Sequence, residues 1–258
     1  MQTRSAGVSP RPVAWAAQSP RPPACSSAPG LWEVSRRAQV ERHCRELARA
    51  QALLERAPEQ ALARSTALLI EAPELLQARI LHGRASLRLG QTSTALADLA
   101  PLLEAEAGAL ADPATLQDGG RAALREGNLA TAARFYRKLG SSAALLPERR
   151  QQVVAYVEIA AVLLASASPP GDEALAYLRE ARRRSAGSGF TSLVVALTGY
   201  AWLAQGRQAE GHGALAEISR PSELELIQKR GDIWLPPGLL PAVVARIGAV
   251  RARPTSKR

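Results

Sequence analysis

"GRASLRLGQTSTALADL", residues 83–99, returns thirty-seven residues later as "GRAALREGNLATAARFY", residues 120–136, with Gly-Arg-Ala, Leu-Arg, Gly and Thr-Ala in step. In each copy a small residue is followed seven places on by a glycine and five places after that by an alanine: Gly83, Gly90, Ala95, then Gly120, Gly127, Ala132. "GYAWLAQGRQAEG" keeps the spacing with Gly199, Gly206 and Gly211. Two looser copies carry Ala48, a turn near Pro58 and Ala61, and Ala160, a Pro-Pro-Gly turn at 169–171 and Ala174. Ala61, Ala95, Ala132, Ala174 and Gly211 thus recur at intervals of 34, 37, 42 and 37 residues.

Contact between antiparallel helices accounts for this spacing. Two helices joined by a tight turn approach closely only where both present small residues, and a glycine between them supplies the left-handed residue that ends the first helix. Leu99, Tyr136, Leu178 and Leu215 follow the alanine or glycine of their copy by four residues, one turn on, where a large side chain fills the space to the next pair. A lone hairpin cannot bury its apolar face, so hairpins of this kind stack.

At these residues the chain resembles the tetratricopeptide repeat family, whose units of about 34 residues place small residues, a turn glycine, an alanine and a large residue in this order. The resemblance covers roughly residues 40–220 and implies an all-α fold, a superhelix of about five αα-hairpins over 31–220 with a concave groove lined by the first helix of each pair. It also implies a non-catalytic scaffold that holds a peptide or a partner domain in that groove.

Composition points the same way. Apolar residues make up 47% of the chain but are mainly Ala and Leu, and aromatics are only 4%, a balance that favours helices over strands. Seven of the ten net positive charges lie at the ends: Arg4, Arg11 and Arg21 in a proline-rich segment, 1–30, that reads as a disordered leader, and Arg251, Arg253, Lys257 and Arg258 in a basic tail, 251–258. Three lysines against thirty arginines is the bias of a GC-rich, bacterial genome, so arginine abundance is not by itself a nucleic-acid signal. Between fold and tail, residues 221–250 read as a C-terminal cap: a short helical piece from Ser222, a glycine turn in "KRGDIW", a proline-rich link, and a helix with Pro241 in its first turn. Trp234 is expected to pack on the last repeat.

No catalytic or metal-binding pattern emerges. His43, His82 and His212 fall in different repeats, Cys25 and Cys44 form no framework, and no nucleophile elbow, phosphate loop or dinucleotide fingerprint occurs. "DGG" at 118–120 reads as part of a helix begun by Asp112 as N-cap and Pro113 at the first position. The uncharged stretch 185–206 is nominally long enough to span a membrane, but its serines, threonines and glycines favour a buried repeat helix. No cofactor, no metal, no membrane span and a cytoplasmic setting are expected.

Candidate binding residues follow from the repeat register. Directly after the small residue of the first helix stand Arg49, Arg84 and Arg121, and one helical turn on stand Arg88 and Arg125. This arginine ladder suits carboxylates, which guanidinium groups hold in a bidentate fork. In copies four and five Ala161 and Tyr200 follow the small residue, with Leu164 and Leu203 three residues on, so the groove is expected to pass from basic to apolar and to take an acidic ligand with an apolar end, Tyr200 lining the far half. Alternative readings are the regulatory or sensory arm of a bacterial signalling or transcription system, and nucleic-acid binding through the basic tails.

Overall fold

The glycine-turn-glycine spacing produces the same local structure three times. Gly90, Gly127 and Gly206 adopt φ of 76°, 71° and 77°, the left-handed region that side chains disfavour. After each, the next residue donates its N–H to the carbonyl five back: Gln91 to Ser86, Asn128 to Ala123 and Arg207 to Trp202. This closing pattern satisfies carbonyls at the helix end and reverses the chain.

The structure, a computed structural model, describes residues 31–104, 112–166, 172–186 and 189–252. Its described residues hold twelve α-helices and no strand. They are α1 (Leu31–Leu53), α2 (Pro58–Glu71), α3 (Leu76–Arg88), α4 (Thr92–Leu99), α5 (Pro113–Arg125), α6 (Leu129–Gly140), α7 (Arg149–Ser166), α8 (Asp172–Arg184), α9 (Thr191–Ala204), α10 (Gln208–Ala216), α11 (Pro221–Trp234) and α12 (Leu239–Arg251). The chain divides into two compact units, Met1–Arg42 and His43–Arg258, with the boundary inside α1. Within the second unit, from α2 to α10, each helix packs on the next in sequence order. Asp112 and Asn128 open α5 and α6 by accepting the N–H of Thr115 and Thr131 at 3.0 Å each, so "DGG" lies inside a helix as its N-cap and Pro113 suggest.

Small residues sit where helices meet. A Cβ on Gly83 would stand 2.9 Å from Asp98 and 3.0 Å from Leu99, one on Gly120 would stand 2.6 Å from the Tyr136 ring, and one on Gly199 would stand 2.7 Å from Leu215. Leu99, Tyr136 and Leu215 therefore fill the space over the small residue of their own hairpin's first helix. At Gly119 and Gly120 the fit is doubled, because α6 sends Phe135 and Tyr136, both fully buried, onto adjacent glycines of α5. One apolar core then runs from Leu99 to Ile247.

The C-terminal region departs from expectation in two places. Gly231 forms no turn: α11 continues through it to Trp234, and its missing side chain leaves room for Leu240 of α12, whose Cδ1 would lie 2.5 Å from an added Cβ. The turn comes instead at Gly238, with φ of 86°. Arg251, assigned to a free tail, ends α12 and donates to the carbonyls of Ile218 (2.8 and 3.2 Å) and Arg220 (3.2 Å). Ile218 and Arg220 lie in the link between α10 and α11, so this guanidinium ties the end of α12 back to that link. The expected leader, residues 1–30, and the tail beyond Ala252 lie outside the described residues. Among the described residues no helix is long and apolar enough to cross a membrane, and the uncharged stretch at 185–206 supplies only the fourteen residues of α9.

Two alanine substitutions separate contact from propensity. Gly120→Ala forces the Tyr136 ring aside and is expected to cost about 1–3 kcal/mol. Gly213→Ala, in α10 with nothing within 4 Å of its added Cβ, is expected to be neutral or to stabilise by up to about 1 kcal/mol. Urea melts followed by circular dichroism decide, and equal effects at the two sites would contradict the packing described.

Candidate functional site

α3 and α5 carry the arginine ladder on one side, and the structure meets most of it with buried acids. Arg84 Nε donates to Asp118 Oδ2 at 2.9 Å. Arg88 is forked twice, to Asp118 (3.1 and 3.3 Å) and to Glu55 (2.9 and 3.3 Å). Arg121 Nε donates to Glu158 Oε1 at 2.8 Å, while Gln117 holds the other oxygen at 2.6 Å. Asp118 and Glu158 are each only 2% exposed, and Arg84 is 8% exposed. Buried charges of this kind persist only when paired and hydrogen-bonded.

A rule in the register underlies these pairs. The arginine after the small residue of one hairpin reaches the acid two residues before the small residue of the next: Arg84 before Gly120 meets Asp118, and Arg121 before Ala160 meets Glu158. Arg49 is the exception that obeys the same logic. The equivalent place in the next hairpin is Leu81, so Arg49, exposed on α1, turns to Glu46 of its own helix at 2.5 Å. Between α7 and α9 the pair becomes Ala161 and Leu197, both fully buried.

Charge states follow from these surroundings. Burial pushes the Glu158 carboxyl above the ordinary glutamate value, against the pull of Arg121. The hydrogen bond from Arg88 holds Glu55 below that value. Burial, then the neighbouring Glu158, pushes the Tyr136 phenol well up, so the hydroxyl keeps its proton.

Two adjoining clefts flank the ladder. One, of about 750 Å³, is lined among others by Arg88, Arg121, Arg125, Tyr136, Glu158 and Trp234. The other, of about 590 Å³, is lined by Arg84, Arg88, Asp118, Arg121, Arg150 and Trp234 among others. Arg84, Arg88, Arg121 and Arg125 are thus brought together, while Arg49 and Tyr200 line neither cleft. Arg125 is exposed and has no carboxylate partner among the described residues; it reaches only the Leu87 carbonyl, at 3.4 Å. Trp234 reaches further than the last repeat. Its ring lies 4.9 Å from the Arg121 guanidinium carbon, a cation–π contact that ties the C-terminal end of α11 to α5.

The apolar half of the expected groove is not open. Ala161, Leu164 and Leu203 are buried, Tyr200 is half-buried, and α11 packs along α9 and α7. Leu203 lies over Gly211 of α10, and α11, packed on α9 and α7, closes the end of the stack. Among the described residues no group of three or more histidine, cysteine or acidic side chains is placed to hold a metal ion. Sequence reasoning missed Asp118, Glu158, Tyr136 and Trp234. The spacing of arginine and acid by 34 residues (Arg84 to Asp118) and 37 residues (Arg121 to Glu158), one repeat each, was the available signal for the first two. No family model, curated protein or solved structure matches the chain.

The buried acid makes a pH prediction. Because Glu158 binds its proton more tightly folded than unfolded, its contribution to stability is full below the ordinary carboxylate range and is lost as pH rises through the higher folded value. The stability of the native chain relative to Glu158→Gln is therefore expected to decline as pH is raised from the ordinary carboxylate range. Denaturant melts across pH check this, and a difference that grows with pH contradicts it.

Proposed function

We propose that the chain is a non-catalytic interaction scaffold, built of hairpins of the tetratricopeptide kind, that holds an acidic segment of a protein partner along α3 and α5. The repeated small-residue contacts and left-handed turn glycines support the repeat reading. The observation that carries the binding reading is Arg125: an exposed guanidinium without a carboxylate partner among the described residues, on the wall of a 750 Å³ cleft beside arginines that are already satisfied. Guanidinium seeks a planar carboxylate, and a partner's acidic side chain supplies one. With the apolar half packed under α11, the ligand engages only the charged half, so the recognised segment is short. The satisfied arginines, Arg84, Arg88 and Arg121, act here by fixing the wall in place rather than by contacting the partner.

The test uses the exposed residue, since reversing Arg84 or Arg121 would disrupt the fold. Proteins retained from the native cell by the wild-type chain are expected to be lost with Arg125→Glu, at a cost of about tenfold or more in affinity, and kept with Arg183→Glu on α8. Equal retention by both variants, with unchanged melts, would rule out this face as the binding surface.

A further inference from the structure

Tyr136 raises a question that packing does not answer. Phe135 and Tyr136 are adjacent, both fully buried, and both press their rings on a glycine of α5, within 2.5 Å of a Cβ built on Gly119 and 2.6 Å of one on Gly120. The ring does the same packing work at each place, so the hydroxyl is the difference. Three of the other hairpins carry Leu99, Leu178 and Leu215 here, with no polar atom, and the first carries Ser65, whose hydroxyl is satisfied by donating to the Ala61 carbonyl at 2.9 Å. Yet the Tyr136 hydroxyl, although buried, has no hydrogen-bond partner among the described residues, and neither has the Trp234 indole N–H. Both residues line the cleft that Arg125 walls. Buried polar groups left unpaired are rare and costly, and two of them on residues that line one cleft call for an acceptor that the protein does not provide.

We propose that the Tyr136 hydroxyl, the Trp234 indole N–H and the Arg125 guanidinium form a three-donor site for one carboxylate group carried on an apolar body. The indole N–H and the guanidinium can only donate and the hydroxyl can donate, so a ligand carboxylate satisfies all three. The cleft is lined by Arg88, Arg121 and Arg125 against Glu55, Glu158 and Asp232, equal numbers of each sign, and the first two arginines are already held by acids. Arg125, without a carboxylate partner among the described residues, is the cation of this lining that a ligand carboxylate can match, and the equal number of acids disfavours a phosphate dianion. Leu87, Leu124, Ile233 and Leu235 supply apolar walls, and Ile233 is 61% exposed at the rim. Neither donor atom is open to water, so a carboxylate reaches them only by parting the side chains of the lining, and its uptake changes the surroundings of Trp234. The site deepens the reading of this cleft as the binding face, and the carboxylate is either that of a free organic acid or an acidic side chain of the partner.

The full chain is titrated with hexanoate, with a capped tripeptide carrying glutamate between two leucines, and with inorganic phosphate, following tryptophan fluorescence and melting temperature. Hexanoate or the tripeptide is expected to bind and phosphate not to. Binding of the tripeptide alone assigns the carboxylate to a partner, and binding of hexanoate alone assigns it to a free acid. Tyr136→Phe keeps the ring and is expected to melt no lower than wild type while losing at least about tenfold in affinity. Trp234→Phe, which keeps a ring over Arg121 but lacks the N–H, is expected to lose affinity likewise. Absence of binding by both carboxylate probes, tighter binding of phosphate, or undiminished binding by Tyr136→Phe overturns the proposal. Loss of the cellular partner with Arg125→Glu but not with Tyr136→Phe would overturn this site and leave the scaffold reading standing.

Discussion

Two carboxylates taken almost wholly out of water, Asp118 on α5 and Glu158 on α7, set the relation of α5 to α3 and of α7 to α5. Each is met by the arginine that follows the small residue of the preceding hairpin. An ion pair in such a place is a weak source of net stability, because desolvation offsets most of the attraction. Its effect is on specificity. Apolar helix faces can slide past one another at little cost, whereas a displaced register leaves a buried carboxylate without its guanidinium, at a cost of about 3–5 kcal/mol. These two junctions rest on the chemistry that tolerates error least.

The pairs are possible only because the helices of a hairpin lie close. Gly83 and Gly120 bring α3 and α5 down onto Leu99 and Tyr136, which settles the depth at which the next residue, Arg84 or Arg121, leaves the helix. The same approach carries Tyr136 through the level of α5, so that a residue of a second helix comes to line a cleft walled by first helices. The cleft is then bounded from the other side by the C-terminal end of α11, through Trp234 stacked on Arg121. One side chain thus serves three neighbours: Arg121 holds Glu158, supports Trp234 and stands beside Arg125 in the wall of the cleft.

Local features were legible in the sequence, and long-range partners were not. Gly90, Gly127 and Gly206 announce helix ends because only a left-handed residue closes that turn, and Asp112 with Pro113 announces a start, so both were readable one segment at a time. Gly231 misled for the same reason: its spacing suggests a turn, but its function is to admit Leu240, which lies in another helix. The arginines were readable as a ladder and misread as free, since their acids lie one repeat away on the next first helix. Pairing Arg84 with Asp118 needs the repeat length and the facing of the helices together. Tyr136 was read only as a space-filling residue, because a hydroxyl's lack of a partner is a property of the assembled cleft.

Arginine–carboxylate pairs join α3 to α5 and α5 to α7, and a double-mutant cycle on Arg121 and Glu158 measures this most directly. Arg121→Met, Glu158→Gln and the double variant are compared with the native chain by urea melts at neutral pH. Each single change is expected to leave a buried charge or donor uncompensated, and the double change to recover much of the loss, giving a coupling on the order of 2 kcal/mol. Additive losses, with a coupling below about 0.5 kcal/mol, would show that the pair is solvated in practice and that apolar packing alone holds the hairpins in register.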